Sequence, residues 1–96
     1  MQSQKPAAVP SLQAENERVR VTKWSFAPGA ATGWHRHEYD YVIVPLTSGR
    51  LRVTNAGESV EAELVAGQTY WRKAGVEHDV ENINDFDFAF VEVEVK

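Results

Sequence analysis

From Arg18 to Val95 the side chains alternate in character with a period of two, and glycine, proline, asparagine and aspartate interrupt the runs every few residues. This patterning constrains the fold more than any other feature. Successive side chains of a strand point to opposite faces, so a period of two belongs to strands; a helix repeats about every 3.6 residues. Helical periodicity is nearly absent. The runs predict strands at Arg18–Phe26, Gly33–His37, Tyr41–Pro45, Arg50–Thr54, Ser59–Leu64, Gln68–Arg72, His78–Asn82 and Asp87–Val95. Short strands at such spacing, with turn residues between them, predict an all-β sandwich or barrel.

The interruptions have mechanisms. Pro28-Gly29 ends the first run, because proline fixes φ and glycine admits positive φ. Ser48-Gly49, Ala66-Gly67 and Ala74-Gly75 mark further turns, and Asn55-Ala56-Gly57 joins two strands as a hairpin. The turn formers Asn82-Ile83-Asn84-Asp85 precede the last strand.

At 96 residues the chain is expected to form one domain. A domain this small buries only about two-thirds of its unfolded surface, so a bound metal or a partner subunit would add to its stability. Residues 1–16 are polar and contain Pro6 and Pro10; they read as a flexible N-terminal arm or a lead-in strand ahead of a domain at 17–96. This stretch has no apolar core of the kind that marks a secretory signal. No run approaches the roughly 20 apolar residues that span a bilayer, and a cytoplasmic protein is expected.

Two stretches are apolar on both faces. Every residue of Tyr41-Val42-Ile43-Val44 is apolar or aromatic; the last strand carries Phe86, Phe88 and Phe90 on one face and Ala89, Val91, Val93 and Val95 on the other. A strand buried on both faces needs a second layer. Either another sheet or another subunit supplies it, and a homodimer is expected.

Net charge is −4, and the basic residues are scattered in pairs such as Arg18/Arg20 and Arg50/Arg52, which lie on single strand faces. This reads as solvated surface, not as a nucleic-acid footprint. There is no cysteine, so thiolate ligation and disulfides are excluded and any metal must sit on nitrogen and oxygen. No serine lies in a nucleophile elbow, and no phosphate loop or dinucleotide fingerprint is present.

His35 and His37 stand two apart, which on a strand sends both rings to one face about 7 Å apart along the chain. Two imidazoles so placed can tilt onto one ion with bonds near 2.1 Å. An isolated H-x-H is more often a pair of ordinary histidines, and His78 alone says less. Their surroundings add to the case. Gly29 to Gly49 reads GAATGWHRHEYDYVIVPLTSG, and Gly67 to Asn82 reads GQTYWRKAGVEHDVEN.

These two stretches resemble the paired motifs of the cupin superfamily. The second motif matches at Gly67, Gly75, His78 and Asn82 with every spacing kept, Lys73 standing where the family has proline. The first matches at Gly29, His35, His37 and Gly49 but lacks the family's glutamate. Gly33 to Thr47 also looks like a subgroup of short, single-domain cupins. The resemblance implies a jelly-roll β-barrel with one divalent metal ion, of iron, manganese, nickel or zinc, on His35, His37 and His78. For the missing glutamate, Asp40 is the first candidate by position and by its carboxylate. Tyr41 is the alternative, with water as a third possibility; Glu38, in a turn, is weaker. Asp40 has a competing reading as a turn residue bonded to backbone.

Trp34 should face away from the two histidines and pack; Arg36 and Glu77 should also point away. Of Tyr70, Trp71 and Arg72, one face lines the barrel, and the pattern does not say which. Phe86, Phe88 and Phe90 read first as core filler, with a pocket wall as the alternative, and Asn82 as structural. The resemblance implies an enzyme acting on a small organic acid or amine-derived ligand, as a dioxygenase or a metal-dependent isomerase or hydrolase. A non-catalytic metal- or ligand-binding module and a metal-free jelly roll are the other readings.

Overall fold

The computed structural model describes residues 5–96. Among the described residues, nine strands form two antiparallel sheets: β1 (Val9–Glu15), β2 (Val19–Phe26), β3 (His35–Arg36), β4 (Asp40–Pro45), β5 (Gly49–Thr54), β6 (Ser59–Leu64), β7 (Tyr70–Arg72), β8 (Glu77–Asn82) and β9 (Phe88–Val95). One sheet runs β1-β2-β9-β4-β7 and the other β3-β8-β5-β6. Non-consecutive neighbours, such as β2 beside β9 and β5 beside β8, are the crossovers of a jelly roll. No helix long and apolar enough to cross a membrane occurs among the described residues.

The predicted strands are all present, most within two residues of their expected ends; Gly33–His37 shrinks to His35–Arg36. The addition is β1. It pairs with β2 from Val9↔Ser25 to Glu15↔Arg20, with a bulge between Leu12 and Ala14. Of the two expectations for the N-terminal segment, the structure has the lead-in strand at Val9–Glu15 in place of a flexible arm. Every residue of β1 is exposed, so no buried alternation announces it. Pro10 is compatible with it because β1 is an edge strand. Residues 1–4 of the expected arm lie outside the described residues.

The core lies between the sheets. Phe26, Phe88 and Phe90 meet there: Phe26 and Phe88 are edge-on with centroids 6.5 Å apart, and Phe26 and Phe90 are 5.4 Å apart. Leu51, Leu64 and Val80 close the core from the other sheet. Burying each such side chain contributes about 1.5–3 kcal/mol. Phe86 departs from the expected trio, being 45% exposed in the turn before β9.

Asn82 ties the two ends of the chain's motifs together. It is fully buried, and its amide donates to the carbonyls of Phe26, Ala27 and Phe86 at 2.9–3.2 Å. Its Oδ1 accepts from the backbone N and the Nδ2 of Asn84. Asn84 in turn brackets Arg50, accepting from its N and donating to its carbonyl. A Cβ at Gly49 would come within 2.8–3.0 Å of the Asn84 amide, so only glycine fits there.

Candidate metal centre and cavity

The three histidines are brought together from two sites on neighbouring strands. His35 stands directly opposite His78 in the register of β3 and β8. Gly33, at φ +83, makes the turn that leads into β3, and its N donates to Oδ1 of Asp79 on β8. Just beyond β3, His37 donates its N to the carbonyl of Val76 and accepts from the N of Gly75. These bonds hold both approaches to His78.

The ring nitrogens converge. His35 Nε2 lies 3.0 Å from His37 Nε2, and His37 Nε2 lies 3.1 Å from His78 Nε2. Two imidazoles bound at right angles to one ion about 2.1 Å away stand about 3.0 Å apart; at the tetrahedral angle they stand about 3.4 Å apart. The two spacings fit His35 with His37, and His37 with His78, as neighbouring ligands that would hold one ion. His35 Nδ1 is 2.9 Å from the carbonyl of Gly33, an acceptor only. Nδ1 therefore carries the proton and is held by the Gly33 carbonyl, which turns the Nε2 lone pair to the centre as in metal-bound histidines.

The electrostatics agree with that chemistry. Burial, then the neighbouring rings of His35 and His78, lowers His37 to about 4. Burial, then His35, lowers His78 to about 4. Both rings are neutral near pH 7, as ligation requires.

Asp40, the first candidate for a fourth ligand, is not part of this group. Its Oδ1 accepts from the backbone N of Ala74 at 2.8 Å, so the carboxylate braces the loop after β7. The reason is strand parity: Tyr41, the next residue, is the one buried inward. The Tyr41 ring stacks on His37 with centroids 3.9 Å apart and planes 17° apart. Burial, then the Glu92 charge, pushes its phenol up to about 12. Tyr41 thus supports the His37 ring as a neutral phenol. Glu38 is exposed. Trp34 is 54% exposed and does not pack as expected, because β3 is too short to extend the sheet around it.

The histidines line a cavity of about 410 Å³ between the sheets. This volume suits a small organic ligand. Its wall is apolar in the middle, with Ile43, Leu51, Val80 and Phe90. Tyr70 and Arg72 also line it, while Trp71 points outward, 53% exposed; this settles which face of β7 is internal.

Two cavity residues escaped the sequence reading. Glu92 is 8% exposed on the inner face of β9, two residues beyond Phe90. Burial, then the charge of Glu94, pushes its carboxyl up to about 7. Its signal was a carboxylate on the face that Phe88 and Phe90 mark as internal. Trp24 is the other: its indole N–H is buried without an acceptor.

Comparison with known proteins decides the family. Residues 22–94 match the cupin domain family Cupin_2. The chain belongs to the cupin family. Among cupins it is 54% identical over 94 residues to the beta-alanine degradation protein BauB of Pseudomonas aeruginosa, covering 98% of this chain and 99% of that one. The crystal structure of a cupin domain from Bordetella pertussis superposes with a TM-score of 0.97 at 49% identity, covering 99% of each chain. A Klebsiella pneumoniae protein with a double-stranded β-helix domain, 22% identical over 98% of this chain and 81% of its own, shares the cupin fold at a TM-score of 0.77. The expected all-β cupin barrel is therefore the fold, and its three histidines are placed to hold a metal ion.

Proposed function

We propose that this cupin binds one divalent metal ion on His35, His37 and His78 and acts on a small organic molecule in the adjoining cavity. The observation that carries this reading is the convergence of three imidazoles at the wall of a cavity of about 410 Å³, with His37 Nε2 3.0 Å from His35 Nε2 and 3.1 Å from His78 Nε2. When bound, iron, manganese, nickel or zinc supplies Lewis-acid polarisation of a ligand oxygen, and iron also supplies dioxygen chemistry. The chain's own residues hold His37 and His78 neutral, orient the three imidazoles and line the adjoining cavity with apolar walls.

The name of the Pseudomonas relative supports a role in the breakdown of β-alanine or of a compound derived from it. The reaction types that fit are dioxygenation and metal-dependent isomerisation or hydrolysis. A ligand-binding module without turnover is the second reading; it is favoured by the placement of Asp40 on Ala74, which leaves the histidines without a carboxylate partner. The deciding experiment is metal analysis of the purified protein, followed by oxygen uptake and product analysis of the Fe(II)-loaded form with small amino and hydroxy acids. Metal with turnover supports the enzyme. Metal without turnover on any acid supports the binding module, and no metal at all defeats both.

The outer face of the five-stranded sheet supports a homodimer. Val21, Val93, Val42 and Trp71 form one row across β2, β9, β4 and β7. A second copy covering this row would supply the layer that the doubly apolar strands call for. Sedimentation of wild type and Trp71→Glu tests it, with dimer expected for the first and monomer for the second.

A further inference from the structure

The cavity holds an acid without a base and a base without an acid. Glu92 is more than nine-tenths buried, and among the described residues its carboxyl makes no hydrogen bond and no ion pair. The positive charge nearest along the sheet, Arg20, is committed to Glu15 and Glu94. Nothing in the packing calls for a carboxyl at this point. Phe88 and Phe90 fill the same strand face, and an apolar residue at 92 would extend that core. The oxygens of Glu92 are not fully enclosed; the carboxyl opens onto the cavity, where a polar group without a protein partner is placed to meet a ligand. The unpartnered N–H of Trp24 lies two register positions away on the same face, since Trp24 faces Phe90 and Thr22 faces Glu92.

Arg72 is the complementary case. It stands opposite Tyr41, the residue that stacks on His37, so it borders the histidine end of the cavity. Its guanidinium lies 5.9 Å from the Tyr70 ring centre and donates only to the carbonyl of Trp71; no carboxylate pairs with it among the described residues. Glu92 and Arg72 are on the same inner face but separated by one intervening strand and two residues along the ladder. That offset amounts to about 12 Å between their Cα atoms, too far for the two to meet and close enough for a short ligand to span their head groups.

We infer that the cavity binds a small amino acid lengthwise, its ammonium group on Glu92 and its carboxylate at the histidine end beside Arg72. This rests on the metal-dependent reading above and adds to it the substrate's charge pattern and its orientation. A charge-assisted bond from the ammonium group would satisfy the buried carboxyl, and burial would strengthen it. A raised proton affinity at Glu92 accords with a carboxyl set to meet such a group. Glu92 is thereby a specificity residue for the amine.

The test uses the full chain loaded with Zn(II), a redox-inert ion, and the probes glycine, 3-aminopropanoate, 4-aminobutanoate and propanoate. Affinities come from calorimetry, and the Trp24 indole N–H resonance reports occupancy. At least one amino acid is expected to bind wild type tenfold or more tightly than propanoate does, and to move the indole resonance. Glu92→Gln is expected to remove that tenfold advantage while keeping zinc content and propanoate affinity. Arg72→Gln is expected to weaken every probe. The inference is overturned if no amino acid binds the zinc-loaded protein, if Glu92→Gln leaves the preference for the amine intact, or if the folded Glu92→Gln protein loses its zinc, which would make Glu92 a metal ligand. Zinc content is read separately, so failure to bind metal counts against the proposed function. Amine preference through Glu92 in the zinc-free protein would still support this inference.

Discussion

His35 faces His78 directly across the two-residue ladder of β3 and β8, and this pairing brings a residue of the first motif onto one from the second. Neither histidine can be replaced by a flexible loop contact, because backbone bonds on both sides fix their separation. His78→Ala should therefore abolish metal binding without unfolding the chain. With Zn(II) at about a hundred times its Kd, linkage predicts about 2.7 kcal/mol of stabilisation for wild type, or a rise in Tm of roughly 10–20 °C in a domain of this size. His78→Ala should show no rise in a thermal scan. An equal rise in both proteins would remove these histidines from any metal site.

Asp40 braces the loop at Ala74, and Tyr41 stacks on His37. Asp40→Ala should keep its metal, measured by elemental analysis, and lose about 1 kcal/mol of stability with the bond to Ala74. Tyr41→Phe keeps the ring that stacks on His37 and should also keep the metal. Loss of metal in Asp40→Ala would restore the carboxylate as a ligand.

The sequence carried the barrel and the three-histidine centre because both depend on local signals: period-two runs, turn residues, and histidines at fixed offsets from glycines. The strand Ser59–Leu64 was legible to the residue. What was not legible depended on the partner surface. β1 has no buried face, so its pattern is that of any polar tail. Asp40 and Tyr41 differ by one residue, which on a strand decides between the outside and the cavity. Glu92 lies in plain view on the face of Phe88 and Phe90, but only the closing of the second sheet over it shows that its carboxyl is held within the cavity.

Asn82 and Gly49 should prove to be stability residues. Asn82→Ala removes three donor contacts to buried or half-buried carbonyls and the acceptor for Asn84, and should cost roughly 3 kcal/mol or more in urea unfolding. Gly49→Ala drives a methyl group into the Asn84 amide and should cost roughly 1–3 kcal/mol. The pair should be non-additive, since Asn84 links them. Full additivity would show that the two sites do not share this network.

The pH dependence of the metal-free protein separates Glu92 from the histidines by sign. Glu92 binds its proton more tightly folded, at about 7, than unfolded, at 4.5. Between those values the native state holds the extra proton, so this residue makes stability fall as pH rises, by roughly 3 kcal/mol in all, and then no further. His37 and His78 are lowered from 6.5 to about 4, so they make stability rise over that window and lose it again as pH falls toward 4. In wild type the two trends oppose each other from pH 4.5 to 6.5. In Glu92→Gln only the histidine trend remains, so its stability should climb more steeply up to pH 6.5 and level off there. Urea midpoints of both proteins from pH 4 to 8 give the difference directly: wild type should lose ground to Glu92→Gln steadily between pH 4.5 and 7. A constant difference across that range would mean that Glu92 titrates as an ordinary surface carboxylate, and the buried acid in the cavity would have to be abandoned.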